Sequence, residues 1–476
     1  MVLLYNLRGC QPIKHTKFHG GGRYGEVIFM TLAEKMDFIA CYYDANIYIN
    51  PDIIDICKSR NFKLYDSNSY SIAEVMKQGD YLLYSPLVPF DIINFPSHCK
   101  CIVTVHGLRF LETPYDRYMF AYCSPYAIKE RIKYLYDRYL TAIGRAKYKR
   151  TYEQLFNREN IKYITVSNHS KYSLLSFFPS LVPDSIRMFY SPAMALPVSS
   201  SMERFGKYYL MTSGNRWTKN TIRAIIAFDT LFSERPTLEG KVVITGIDCP
   251  KLFYKYIKNR TRFILLDYVS YEKLASLYQN AYLFVYPTLN EGFGYPPIEA
   301  MQFATPVICS AITSTTEICG DSVLYFNPYS IDEIKNRILM MENPKIREFY
   351  VKKGIERYKF IAAEQRQALD DVTEFIESLE KWSDFFISFK LLLLLEQLTL
   401  NQRVPGSSPC WCTKNRLFGG GFLKAAPKRL ICSEDSRKDT SRLETQKHRE
   451  LQLTVFLGIT TFFDCAVLKS SKFSWK

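Results

Sequence analysis

The chain has 476 residues, 47% of them apolar. That is too long for one ordinary core and too apolar for a disordered polymer, so two domains of roughly 150 to 200 residues are expected. The formal net charge is +15, with 16 Lys/Arg against 8 Asp/Glu in residues 381–476; the excess left for the rest suits work beside anionic lipid or diphosphate rather than along a nucleic acid.

The first segment, MVLLYNLRGC, meets Asn6 and Arg8 before any apolar run could serve as a signal peptide or anchor, so it reads as a first strand. Short β-rich runs then alternate with helix-compatible stretches: ANIYIN from Ala45, DYLLYS from Asp80, CIVTVHG from Cys101, YITVS from Tyr163 and IRMFYSP from Ile186. This alternation predicts a parallel sheet covered by helices, and the continuous apolar character of CIVTV and YITV fits strands buried on both faces. Periodicity fades in AMALPVSSSMERFG, which places a first domain at residues 1–192 and a linker at 193–206.

A second series follows with KYYLMTSG, KVVITG, TRFILL, AYLFVYP, PVICS and VLYFNP as strands, giving a second domain at 207–361. Helical pattern continues to about Lys381, with 362–381 as a last helical segment. Residues 382–476 lose clear period and are expected to form a mostly disordered tail without a domain. Within it LQLTVFLGITTFFDCAVL is long enough for a membrane span, but Gln452, three threonines and Asp464 argue against one. The 13 cysteines form no Cys-x-x-Cys zinc framework and no dense secreted pattern, so a cytoplasmic location is expected, with contact at the inner face of a membrane as an option.

The densest chemical signal is YPTLNEGFGYPPIEAM, where Glu291 and Glu299 stand eight apart. Glycines 292 and 294 let backbone amides approach a ligand, and Pro296-Pro297 suit the first turn of a helix. A helix N-terminus facing such a loop favours a diphosphate, while the two carboxylates can accept hydrogen bonds from sugar and ribose hydroxyls.

This stretch resembles the Glu-x7-Glu motif of the family 4 retaining glycosyltransferases (glycosyl transferases group 1), and the resemblance continues through AMQFATPVICSAITSTTEICGDSVLYFNP. It implies the α/β GT-B fold: two Rossmann-like domains facing across a cleft, with the 362–381 helix crossing back to the first. Glu291 would then hold hydroxyls of the transferred sugar, Gly292, Phe293 and Gly294 would offer amides, and Glu299 would bind the ribose. In SGNRWTKN, Arg216 and Lys219 resemble the family's basic pair for the donor diphosphate, although the two stand closer together than is usual there. In TVHGLRFLE, His106 resembles the strand-end histidine that meets the donor sugar near the reaction centre. By the same resemblance, backbone groups around Val269 would lie near the base, and Asp267 stands where the family often has glycine.

The N-terminal GGGRYGE resembles the family's Gly-rich loop, with Gly21, Gly22 and Arg23 as candidates to meet an acceptor or a phosphate, although the same residues would also make a plain turn before a helix. His169 and Ser170 in VSNHSKYS either follow the family's Val-Ser-x-x-Ser stretch or cap a helix. No Asp-x-Asp pair occurs and the neighbouring His15 and His19 lack an evident third ligand, so neither a metal nor another cofactor is expected. The resemblance thus implies transfer of a sugar from a nucleotide-sugar donor to a glycan or lipid-linked acceptor, in polysaccharide or lipopolysaccharide assembly. Two rivals remain: a GT-B epimerase or phosphorylase, and a non-enzymatic basic binder of membrane or nucleic acid.

Overall fold

The computed structural model describes residues 1–401 apart from 13–18, 89–98, 115, 123–127, 129–131, 133–140, 159, 194–195 and 199–204. Two wholly parallel sheets organise it. The first contains β1 Val2–Asn6, β2 Ile39–Tyr43, β3 Lys63–Asp66, β4 Tyr81–Ser85, β5 Lys100–Val105, β6 Ile161–Thr165 and β7 Ile186–Met188, in the order β3-β2-β1-β4-β5-β6-β7. The second contains β8 Tyr208–Met211, β9 Lys241–Ile244, β10 Phe263–Leu265, β11 Leu283–Tyr286, β12 Val307–Ser310 and β13 Leu324–Phe326, in the order β10-β9-β8-β11-β12-β13.

The connecting helices are α1 Gly20–Lys35, α2 Pro51–Ser59, α3 Ile72–Lys77, α4 Arg109–Glu112, α5 Thr141–Phe156 and α6 Asn168–Phe177 in the first half. The second half has α7 Thr221–Glu234, α8 Tyr271–Asn280, α9 Tyr295–Gln302, α10 Thr315–Cys319, α11 Ile331–Met341 and α12 Pro344–Asn401. Helices cover both sheets because parallel strands such as β5 and β11 bury nearly every residue and need an apolar layer on each face. This is the doubly wound, two-domain GT-B architecture.

Three expectations are corrected. ANIYIN is not a strand; the strand is the preceding Ile39–Tyr43. Asp44 turns the chain by accepting from the Asn46 amide, and Asn50 caps α2 ahead of Pro51, a polar arrangement that competes with strand formation. The edge strand β3, KLYD, escaped notice because it is short and its first residue is exposed. Gly20 to Glu26 form the first turns of α1 rather than a loop, with His19 as the cap: its Nδ1 accepts from the Gly22 amide at 2.9 Å.

The last helix, α12, is continuous from Pro344 and runs on through 382–401, a stretch assigned from sequence to the tail. It touches the second sheet's domain through α9 and reaches the first through Gln365, whose Nε2 donates to the Ser191 carbonyl at 2.7 Å, and through Asp370 and Thr373, which meet Lys35 at 3.5 and 2.9 Å. The span LQLTVFLGITTFFDCAVL and the rest of 402–476 lie outside the described residues, as do His15 and much of the expected linker. Among the described residues no helix is long and apolar enough to cross a membrane.

Each sheet reverses its strand order once, between β1 and β4 in the first and between β8 and β11 in the second. Ligand sites of open α/β sheets lie at the carboxyl ends of strands at such points. Glu291 follows β11 and Lys219 follows β8, while His106 follows β5, the neighbour of β4. The topology therefore gathers residues far apart in sequence at the carboxyl ends of the two sheets.

Candidate active site

Glu291 is buried, 9% exposed, in the loop between β11 and α9. One carboxylate oxygen accepts from Lys219 Nζ at 2.5 Å and from Thr288 Oγ1 at 2.7 Å, and Lys219 also donates to the Tyr286 hydroxyl at 2.9 Å. The loop is pinned from behind: the Glu291 amide donates to Thr313 Oγ1, and Ser314 Oγ donates to the carbonyls of Glu291 and Phe293. Burial pushes the Glu291 carboxyl up, but the charges of Lys219 and Arg109 outweigh it and hold the group at about 2. Burial also lowers the Lys219 ammonium, more than the facing carboxylate raises it. The Glu291 carboxylate is therefore an acceptor at any physiological pH.

The glycines after Glu291 have separate geometric reasons. A Cβ on Gly292 would lie 1.8 Å from the His106 carbonyl oxygen, so only glycine lets the motif loop touch the end of β5. Gly294 has φ +100° and precedes α9, whose first turn carries Pro296 and Pro297. Phe293 is buried against Tyr190 and Tyr295, so its ring anchors the loop. Ser167, the cap of α6, donates to the Gly292 carbonyl at 2.7 Å, and Ser170 donates to the carbonyls of both Gly292 and His106.

His106 lies under this contact. Its Nε2 is 2.9 Å from the Pro86 carbonyl, which can only accept, so Nε2 carries the proton and Nδ1 is left as an acceptor. Its ring meets Tyr24 edge-on at 4.8 Å, and burial lowers it to about 4, so it is neutral at physiological pH. Gly21 stands beside it: a Cβ there would be 3.7 Å from His106 Nε2 and 2.6 Å from Leu87.

Residues 203–357 match the family described as Glycosyl transferases group 1. Residues 203–357 of the chain are a group 1 glycosyltransferase domain. The chain is 28% identical over 275 residues to an O-antigen chain mannosyltransferase B of Escherichia coli, an alignment that covers 56% of this chain and 71% of the relative. A Salmonella typhimurium O-antigen chain mannosyltransferase, RfbU, is 33% identical over 124 residues, which span 34% of that relative. Among solved structures, the Anabaena protein HepE in complex with UDP and glucose superposes with a TM-score of 0.55 at 11% identity, covering 79% of this chain and all of that one. WaaG, a glycosyltransferase involved in lipopolysaccharide biosynthesis, gives 0.52 at 14% identity, covering 78% and 100%. At such identities the two structures speak for the fold.

The other residues singled out in the sequence are distributed unevenly around this glycosyltransferase's Glu291. Arg216 leads into the 3₁₀ turn Trp217–Lys219, with its buried Nε left without a hydrogen-bond partner. Glu299 is half-buried in α9 and accepts from the Tyr278 hydroxyl at 3.0 Å; burial raises its carboxyl, with Arg23 offsetting part of that. Arg23 itself lies 4.0 Å over the Tyr271 ring, on the Glu299 side rather than with Lys219. Val269 packs partly buried against the core just ahead of α8, and the Asp267 carboxylate accepts from the neighbouring Tyr268 amide. His169 does more than belong to a capped helix: its ring meets Glu112 at 3.1 Å.

Two residues of α4 were not picked out from the sequence. Arg109 acts on both Glu291 and Lys219. Glu112 accepts from His169, from Ser173 Oγ at 2.5 Å and, across the cleft, from Asn290 Nδ2 at 2.6 Å. Their signal was proximity to His106 in TVHGLRFLE, three and six residues on. Among the described residues no three His, Cys, Asp or Glu side chains gather as a metal site.

Proposed function

We propose that this glycosyltransferase moves a hexosyl group, with mannosyl as the first choice, from a nucleotide-sugar to a glycan or lipid-linked acceptor of a cell-surface polysaccharide, with retention of anomeric configuration. The observation that carries this reading is the buried, ionised Glu291 at 2.5 Å from Lys219, held by Gly292 against the strand end that bears His106. Mannose is favoured because the sequence relatives named above are mannosyltransferases. Residues 207–361 hold the donor in this reading and residues 1–192 the acceptor.

Glu291 accepts from hydroxyls of the donor sugar, and Gly292 to Gly294 offer amides at the start of α9. Lys219 and Arg216 neutralise the diphosphate, the role a metal ion fills in other transferases. Glu299 takes the ribose, with Val269 beside the base, while Gly21, Gly22 and Arg23 border the donor from the first domain. The acceptor oxygen attacks C1 on the face the diphosphate leaves; the C1–O bond electrons pass to the phosphate oxygen, which takes the acceptor proton. Neutral His106 offers Nδ1 as a hydrogen-bond acceptor near the sugar. The positive charge of the chain suits work in the cytoplasm beside an anionic membrane surface.

A panel of nucleotide-sugars offered with a lipid-linked glycan tests the proposal. Free nucleoside diphosphate together with an extended acceptor supports it. Release of sugar phosphate, or an epimerised nucleotide-sugar with no acceptor product, opposes it.

A further inference from the structure

The first domain places a positively charged side chain beside the Glu291 loop. Arg109 begins α4, three residues beyond His106, and its buried Nε has no hydrogen-bond partner. Glu112, the carboxylate on the same helix, is engaged by His169, Ser173 and Asn290. Arg109 lines, with His106, Gly107, Asn290 and Gly292, a cavity of about 160 Å³ between the first domain and the Glu291 loop. Its charge acts on Glu291 and Lys219, and Arg216 in turn acts on Lys219. Two further cations, Arg109 and Arg216, thus stand near the Glu291–Lys219 pair, and each carries an unsatisfied buried donor. Against the carboxylates of Glu291 and Glu112, the three cations leave a net positive charge, the complement of a phosphate group.

Beyond α4, Asp116 and Tyr122 bond to the second domain. Asp116 receives both guanidinium nitrogens of Arg223, at 2.9 and 2.6 Å, with both side chains buried. The Tyr122 hydroxyl accepts from the Ile222 amide, and its ring packs on Phe253. Residues 116–122 of the first domain are therefore docked on α7 of the second, a few positions after Arg109 in the chain.

We propose that Arg109 is a third cation of the donor-diphosphate site, supplied by the first domain, so that the nucleoside diphosphate is held from both sides of the cleft. This rests on the transferase reading above. A phosphate could also belong to a lipid-linked acceptor, but Arg109 shares its cavity with Asn290 and Gly292 of the loop assigned to the donor.

Isothermal titration of the full chain with ADP, GDP, UDP and dTDP, together with steady-state KM values for donor and acceptor, separates these sources. Arg109→Gln is expected to weaken the preferred diphosphate roughly 10- to 100-fold and to raise donor KM with acceptor KM little changed. Arg109→Lys should recover part of the loss, and Lys219→Gln should show a comparable one. Unchanged diphosphate affinity in Arg109→Gln, alongside a loss in Lys219→Gln, overturns the role of Arg109 and leaves the transferase reading standing. A rise in acceptor KM alone overturns it in favour of an acceptor phosphate. Binding of none of the four by the unaltered chain overturns both.

Discussion

Lys219 and Glu291 come from loops of neighbouring strands, 72 positions apart, and meet at 2.5 Å with both side chains about 10% exposed. A buried pair of this kind contributes little net stability while intact, yet costs about 3–5 kcal/mol when one partner is removed, because the other charge is left uncompensated. Lys219→Met alone should therefore lower stability by that order in urea unfolding. Lys219→Met combined with Glu291→Gln should restore most of it while remaining inactive. Additive losses in the double variant would contradict the pairing.

Acid dependence follows from the same carboxylate. Glu291 is held at about 2, below the usual carboxylate range, so the stability it adds is present above the unfolded value near pH 4 and is lost as pH falls toward 2. His106 works in a higher window. Its folded value near 4 lies below the ordinary 6.5, so the unfolded chain takes up the proton first, and stability falls as pH drops from about 6.5 to 4. In His106→Phe the part of the pH–stability slope between 4 and 6.5 that comes from His106 should disappear. A slope unchanged from the parent would exclude a neutral buried imidazole.

Gly292→Ala gives a steric test. The new Cβ would sit 1.8 Å from the His106 carbonyl oxygen, and backbone on backbone cannot yield without moving the loop from the strand end. Transfer should fall at least roughly 100-fold, since misplacing a bound group by about 1 Å has that scale of effect. Near-normal turnover in this variant would mean that the contact is not part of the working enzyme.

The Asp116–Arg223 bridge can be probed without touching the reacting groups. Both side chains are buried, 2% and 7% exposed, and the guanidinium also stacks near Tyr118 and Tyr329. Asp116→Asn should cost about 3–5 kcal/mol, measured by urea unfolding. A change under about 0.5 kcal/mol, the usual range for a surface site, would contradict the burial.

Much of this site can be read in the sequence because its parts are local. Glu-Gly-Phe-Gly with Pro-Pro states a strand end, a tight loop and a helix start in ten residues, and continuous apolar runs such as CIVTV declare buried parallel strands. Long-range relations are different. That Lys219 neutralises Glu291, or that Gly292 is required by the carbonyl of His106, depends on which strands become neighbours, and no local pattern encodes it. Arg109 and Glu112 look like solvated charges in TVHGLRFLE until α4 is placed against the Glu291 loop. The strand at Ile39–Tyr43 is hard to tell from ANIYIN beside it, because Ile47, Tyr48 and Ile49 form a comparable β-rich run, while Asp44 and Asn50 direct that stretch into a turn and a cap.

The most direct measurement of the central claim is turnover of the preferred nucleotide-sugar by the unaltered chain and by Glu291→Ala, with the product linkage read by NMR. The account predicts an extended acceptor with the donor's anomeric configuration from the unaltered chain, and at least about a thousandfold loss in Glu291→Ala while donor-independent folding persists. Full turnover in Glu291→Ala, or an inverted linkage, would contradict it.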